Sequence, residues 1–385
     1  SLTGSDVLYQ ALFDRLGVIR VNSLNGLLET LKVFDVAGPM PGHDIVTLSC
    51  SGGEAAILAD LSAVYGLKTP PFSESQTRAL YELFPGYVTV SNPFDYNTSI
   101  WGDKEAMRRC FTMAMNGAHH AAILVYDHPT VVADEVAEWI DALDAFIAAH
   151  ETTGMRAFVA CTVSELLPRD LRERLIKAGV TPLQGLDDGL FALAAAADYQ
   201  QWRQARSATP LPRFSAPVPS GATAAKNLDE WQCKRRLAEF GLSVPKGRLV
   251  AHSELGAAAA EIGFPVVLKA CGTAFAHKSE LGAVRLGLQS PEDVLAAGES
   301  IRAAVGAHGM SVESFLVERM VEGGVAELIV GIQRDEQFGL ALVIGSGGVL
   351  VELIGDSASL LLPTDRKSVE RALMSLKVAT LLRGF

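Results

Sequence analysis

Aromatic side chains are scarce in this chain, at 7% of 385 residues. A sequence poor in Phe, Trp and Tyr but rich in Ala, Gly, Val and Leu is poorly suited to an all-β sandwich; it suits alternating strands and helices. Cysteine is sparse too. Its five cysteines, Cys50, Cys110, Cys161, Cys233 and Cys271, are scattered and form no C-x-x-C pair. That spacing argues against a disulfide framework or a cysteine zinc site, and for reduced thiols in a cytoplasmic protein. Positive charge is in deficit, with 33 Lys and Arg against 44 Asp and Glu and a net charge of −11. A nonspecific nucleic-acid binder or a protein of anionic membranes is thereby disfavoured, although local cations and backbone N–H groups can still hold phosphates. No apolar run is long enough to span a bilayer. The stretch FGLALVIGSGGVLVELIG (338–355) is divided by paired glycines and Glu352 into two strand-length pieces. The amino end, SLTGSDVLYQALF, lacks the basic region and apolar segment of a signal peptide.

What is present is an alternation of apolar runs with helical patterns. Residues 5–16 predict a helix capped near Ser5 or Asp6, then GVIRV as a short strand and SLNGLLETLKVF as an amphipathic helix. DIVTLSC (44–50) predicts a strand that feeds a glycine turn and a further helix. VTVSNPF, AAILVYDH and RAFVACTV predict more strands, with helices between them. Such a succession implies a parallel sheet covered on both faces. Composition changes near residue 203, where RQARSATPLPRFSAPVPSGATAAKN carries four prolines and few large apolar side chains. The expected division is a first domain over 1–202, a linker over 203–226 and a second domain over 227–385. In the second domain strands are expected at 265–269, 283–288, ESFLVERM, AELIVGIQR and LALVIG, with a helix at 291–306.

Several stretches carry candidate chemistry. In SCSGGEAA, Ser51, Gly52 and Gly53 stand between a strand and a helix, an arrangement that makes either a phosphate cradle or a capped turn. In SNPFDYN, Asn92 and Asp95 read as turn residues at a strand end. Lys269 ends an apolar strand, where it needs an anion, either a nucleotide phosphate or an internal carboxylate. Glu318 and Met320 lie at a strand end and Glu327 on the next strand, positions that suit adenine and ribose contacts or solvated edges. His277 sits in the small-residue loop FAHKSELGAV; on spacing alone it is a bystander.

The order of these motifs resembles a known family. VVLKACGTAFAHKSELGAVRLGL, VERMVEGGVAELIVGIQRDEQFG and VIGSGGVLVELIGDSASLLLP are similar to the ATP-grasp region of NDP-forming acyl-CoA synthetases, the ADP-forming acetate–CoA ligases related to succinyl-CoA synthetase. Residues up to about 205 resemble that family's flavodoxin-like CoA-ligase domain, SGGEAA and NPFD matching its phosphate loop and Asn-Pro-x-Asp turn. The resemblance implies an α/β chain, a flavodoxin-like parallel-sheet domain followed by an incomplete ATP-grasp domain. It implies that a small carboxylic acid, ATP and CoA give acyl-CoA, ADP and phosphate through acyl phosphate and phosphohistidine, with Mg²⁺, in a homo-oligomer. It assigns the phosphoryl carrier to His277, whose neutral imidazole is nucleophilic near neutral pH. By the same resemblance Lys269 holds nucleotide phosphates, Glu318 and Met320 line the adenine hinge, and Glu327 contacts ribose. Gly345, Gly347 and Gly348 let backbone approach the phosphates, Asp356 serves nucleotide or metal, and Ser51, Gly52 and Gly53 receive the phosphohistidine. Ala283 departs from the family, which often has a second glycine there. SLTGSD resembles the stretch after the family's other phosphohistidine, and LKVATLLRGF the approach to its asparagine motif. A fragment insufficient for the full reaction is therefore expected. The competing expectations are an ATP-grasp carboxylate–amine ligase and a non-catalytic nucleotide-binding module such as those fused to acetyltransferases.

Overall fold

The computed structural model describes residues 4–84, 86, 88–129, 136–208, 227–273, 275, 278, 280–348 and 355–384. The chain divides into two compact units, one of residues 1–214 with 330–344 and 358–373, the other of 215–329, 345–357 and 374–385.

The first unit holds a five-stranded sheet in the order β2-β1-β3-β4-β5. Its strands are β1 (Ile45–Ser49), β2 (Phe94–Asp95), β3 (Ala121–Val125), β4 (Arg156–Cys161) and β5 (Thr181–Gln184). All four pairings are parallel. This is the flavodoxin-like order that the sequence led us to expect. The central strands are buried on both faces, β1 and β3 at every residue, so β3 reads as an unbroken apolar run and β1 as one interrupted only by Thr47 and Ser49. Val46, Leu48 and Leu124 face one core with α5 (Lys104–Met115) and α6 (Val136–Thr153). Ile45, Ile123 and Phe158 face the other, against Leu190 and Leu193 of α8 (Leu186–Ala208).

Three sequence expectations need correction here. GVIRV is not a strand: Gly17, with φ of 67°, closes α1 (Asp6–Leu16), and Arg20 turns back onto Asp6 at 2.6 Å. VTVSNPF contributes only the two residues of β2. Asn92 explains why, because its side chain takes over the edge of β1. Its amide nitrogen donates to the Ile45 carbonyl at 2.8 Å and to Pro70 O at 2.9 Å, while its oxygen accepts from the Thr47 N–H at 3.1 Å. Third, α8 runs through Ala208, so residues 203–208 of the expected linker are helical. The remainder of that linker lies outside the described residues.

The second unit is built on a four-stranded sheet in the order β6-β9-β7-β8, antiparallel throughout. Its strands are β6 (Gly247–Val250), β7 (Val266–Cys271), β8 (Val284–Leu288) and β9 (Ser314–Arg319). Alternation along β7 and β9 decides what each face carries. Val266, Leu268, Ala270, Phe315 and Val317 pack on α10 (Leu255–Ile262) and α11 (Pro291–Ala307). Lys269 and Glu318 therefore point to the opposite face. Residues 330–344 and 358–373 of the first unit supply most of a separate three-stranded sheet, in the order β10-β11-β12, from β10 (Leu328–Asp335), β11 (Gly339–Ser346) and β12 (Ser357–Leu361). Ala341 and Leu361 of that sheet pack on Leu8 and Ala11 of α1. Among the described residues no helix is long and apolar enough to cross a membrane.

Candidate nucleotide and phosphate sites

Lys269 and Glu318 meet because of the β7–β9 register. Lys269 pairs with Leu316, and Glu318 with Val267, so the two side chains are diagonal neighbours on one face. The Lys269 Nζ donates to Glu318 Oε2 at 2.9 Å. Helix α9 (Glu230–Glu239) completes the cluster, for its i,i+4 pair Glu230 and Lys234 faces the same spot. Lys234 Nζ donates to both Glu318 oxygens at 2.6 Å. Glu230 accepts from Lys269 at 2.6 Å, from Lys278 at 2.7 Å and from Lys234 at 2.8 Å. Glu318 is only 2% exposed, a burial that a carboxylate sustains only with such partners. For Glu230, burial works to raise the pKa, but hydrogen bonds from Lys234, Lys269 and Lys278 outweigh it and hold the carboxyl at about 2. For Lys269, burial disfavours the charge, and Glu230 and Glu318 together raise the pKa above its ordinary value. Of the two anions open to Lys269 in the sequence reading, the internal carboxylate is the one found here. Three ammonium groups on one half-buried face are nevertheless what a chain of phosphates requires.

Met320 follows β9, and its N–H donates to Pro265 O at 3.0 Å. Glu327 is brought to the glycine turn after β11. Gly347 N–H donates to Glu327 O at 2.6 Å, and a Cβ on Gly347 would stand 2.8 Å from Glu327 Cβ and 2.9 Å from its carbonyl carbon. Gly347 is thus required by the chain's own packing. Gly348 has φ of 90°, and a Cβ on Gly345 would meet Asp356 O at 3.0 Å. The Asp356 carboxylate accepts from Ser346 Oγ at 2.5 Å and from the N–H groups of Lys377 and Val378 at 2.8 and 3.1 Å. These bonds, that of Ser346 foremost, lower its pKa. Its oxygens are committed to fastening the chain after the helix Arg366–Ser375. His277 lies outside the described residues, as does Glu352.

In the first unit, Ser51 is the N-cap of α3 (Gly52–Val64), with extended backbone and no side-chain capping bond. Gly52 and Gly53 open the helix where its amides have no partner within the helix, at the carboxyl end of β1. Asp95 forms the turn expected of it, accepting from the Asn97 N–H at 2.9 Å. Neither Glu54 nor Asp127 was singled out in the sequence. Asp127 follows β3 and accepts from the Thr162 N–H at 2.7 Å. One Glu54 carboxylate oxygen is buried and has no hydrogen-bond partner among the described residues. Burial first, then the carboxylates of Asp127 and Asp95, pushes Glu54 up to about 7. Cys50 is driven up to about 11, by burial and then Glu54, which leaves it an unreactive thiol at neutral pH.

Glu54 has a measurable consequence for stability. Its folded pKa of about 7 exceeds the ordinary 4.5, so the folded chain holds the proton more tightly than the unfolded one. Its favourable contribution is complete below the unfolded value and is lost as pH rises through about 7, on the order of 1 kcal/mol after allowance for solvent screening. Denaturant midpoints at about pH 5 and about pH 8 are expected to differ less in Glu54→Gln than in the parent. An equal difference in both proteins would contradict the shift.

Comparison with known proteins fits both units. Residues 221–385 match the family model described as an ATP-grasp domain. Over its whole length the chain is similar to a trans-feruloyl-CoA synthase from an unidentified prokaryote, 26% identical over 392 residues covering 54% of that protein. It is also similar to the ADP-forming acetate–CoA ligase of Methanocaldococcus jannaschii, 23% identical over 397 residues covering 56% of it. A solved acetyl-coenzyme A synthetase from Ca. Korarchaeum cryptofilum, in complex with coenzyme A and Ca-AMPCP, is 35% identical to this chain. That match covers 41% of this chain and 70% of the solved one, with a TM-score of 0.39. The second half of the protein is therefore an ATP-grasp domain. With the half that precedes it, the chain is similar from end to end to ADP-forming acetate–CoA ligases and related acyl-CoA synthetases. It spans about half the length of the curated relatives that it matches end to end.

Proposed function

We propose that this chain works in an acid–thiol ligase that joins a small carboxylic acid to CoA at the expense of ATP, releasing ADP and phosphate. The observation that carries this reading is the convergence of Lys234, Lys269 and Lys278 on one half-buried face inside the matched ATP-grasp residues. In this reading Lys269 takes the nucleotide phosphates, with Lys234 and Lys278 as further cations. Glu318 and Met320 border the adenine and Glu327 the ribose, while Gly345, Gly347 and Gly348 present backbone to the phosphates. Phosphoryl transfer demands positioning and charge neutralisation more than covalent chemistry from the protein, and clustered ammonium groups supply both. His277 takes the phosphoryl group as nucleophile. The amides at Ser51, Gly52 and Gly53 then hold it at the helix end, where an anion is favoured. Among the described residues no group of three or more His, Cys, Asp or Glu side chains could hold a metal ion. Mg²⁺ would accordingly enter on the phosphates of ATP, and no step is assigned to a protein-bound ion.

A panel of aliphatic and aromatic acids offered to the whole native protein with ATP, Mg²⁺ and CoA is expected to yield a CoA thioester with at least one acid. Thioester formation with none of them, or amide formation with an amine in place of CoA, would refute the proposal.

A further inference from the structure

Glu230 is the one member of the lysine cluster that the proposed reaction does not use. It is the first residue of α9, behind a capping box in which Asp229 accepts from the Gln232 N–H at 2.8 Å. Its two oxygens collect ammonium hydrogens from Lys234, Lys269 and Lys278, all between 2.6 and 2.8 Å. A phosphate oxygen placed among three lysines would be held in the same way. The helix itself is lightly anchored. None of its residues is buried, Leu237 is 45% exposed, and Phe240, which caps its carboxyl end, is 86% exposed. What ties α9 to the face of β7 and β9 is in large part ionic: Glu230 to Lys269, and Lys234 to Glu318.

We propose that Glu230 is an internal competitor for the phosphate position, which an incoming phosphate chain must displace from Lys269 and Lys278. The proposal rests on the nucleotide reading of this face. Counting the five groups, three ammonium cations and two carboxylates leave a net charge of about +1, too little to attract a weakly charged anion strongly. Displacing Glu230 exposes three cations at once to a ligand that can span them. Glu230 thereby favours multiply charged phosphate chains over singly charged anions. Its low proton affinity keeps it ionised, and so competing, throughout the neutral range. Once displaced, it no longer holds the first turn of α9 to the sheet.

The test uses ATP, inorganic tripolyphosphate and adenosine as probes, titrated calorimetrically at fixed ionic strength into the parent protein and Glu230→Gln. The glutamine keeps the shape and removes the competing charge. ATP and tripolyphosphate are expected to bind about tenfold more tightly to the variant, the equivalent of one charge-assisted hydrogen bond, with adenosine unchanged. If Glu230→Gln fails to fold, Glu230→Asp keeps the charge but shortens its reach, and is expected to give a smaller gain of the same sign. Hydrogen exchange adds an independent readout: ATP is expected to speed exchange of the α9 amides in the parent. Equal or weaker ATP binding by the variant would overturn the role of Glu230 while leaving the nucleotide site standing. No binding of ATP or tripolyphosphate to either protein would remove both.

Discussion

Lys269→Ala is expected to lower the affinity for ATP by at least about a hundredfold, roughly 3 kcal/mol, because a half-buried ammonium–phosphate contact is charge-assisted and poorly replaced by water. The fold should survive the change. Glu318 keeps Lys234, and Glu230 keeps both Lys234 and Lys278, so neither carboxylate is left without a cation. The expected loss of stability is therefore about 1–3 kcal/mol, well short of the cost of orphaning a buried charge. Two measurements separate the effects: the thermal midpoint without nucleotide, and the rise in that midpoint on adding ATP. The parent should show a rise that grows with ATP concentration, and the variant almost none. A variant as well protected by ATP as the parent would show that Lys269 serves only the internal ion cluster.

His277→Asn is expected to abolish phosphoryl transfer altogether. A neutral imidazole nitrogen is a nucleophile at neutral pH, whereas the asparagine amide has no comparable lone pair to offer phosphorus. In the whole native protein, γ-labelled ATP should transfer label to a group that is stable in base and labile in acid, the signature of a phosphoramidate. The variant should lose that label while still binding ATP, since the lysines proposed to hold the phosphates are untouched. Label retained in full by His277→Asn would place the acceptor elsewhere and end the role proposed for His277.

The first unit was largely legible in the sequence because doubly buried parallel strands leave a plain mark between helices: AAILV is an uninterrupted apolar run, and IVTLS is one interrupted only by the small polar residues Thr47 and Ser49. β2 was not, since its ladder is replaced by the side chain of Asn92, and no periodicity in VTVSNPF announces that exchange. At the lysine cluster, the pairing of Lys269 with an acid was foreseeable from the cost of burying an ammonium group. The identity of the acids was not. Glu318 reaches Lys269 only through an antiparallel register, and Glu230 only through the docking of a helix 39 residues earlier in the chain. The spacing of Glu230 and Lys234 did hold a clue, one charged face at i,i+4 on a helix otherwise short of buried side chains. Glu54 and Asp127 were open to discovery by position, each just beyond the carboxyl end of a parallel strand, where sheets of this kind place their ligands. Gly347 illustrates the converse. It stands in a glycine-rich turn that reads as ligand-binding, yet the atoms that forbid its side chain are those of Glu327.

The central claim is that this chain belongs to an enzyme that cleaves ATP to ADP and phosphate in order to form a CoA thioester. The most direct measurement is the identity of the nucleotide product when the whole native protein turns over its acid with ATP and CoA. The account predicts ADP and inorganic phosphate, formed one for one with thioester and only when acid and CoA are both present. AMP and pyrophosphate, or ADP formation indifferent to CoA, would contradict it.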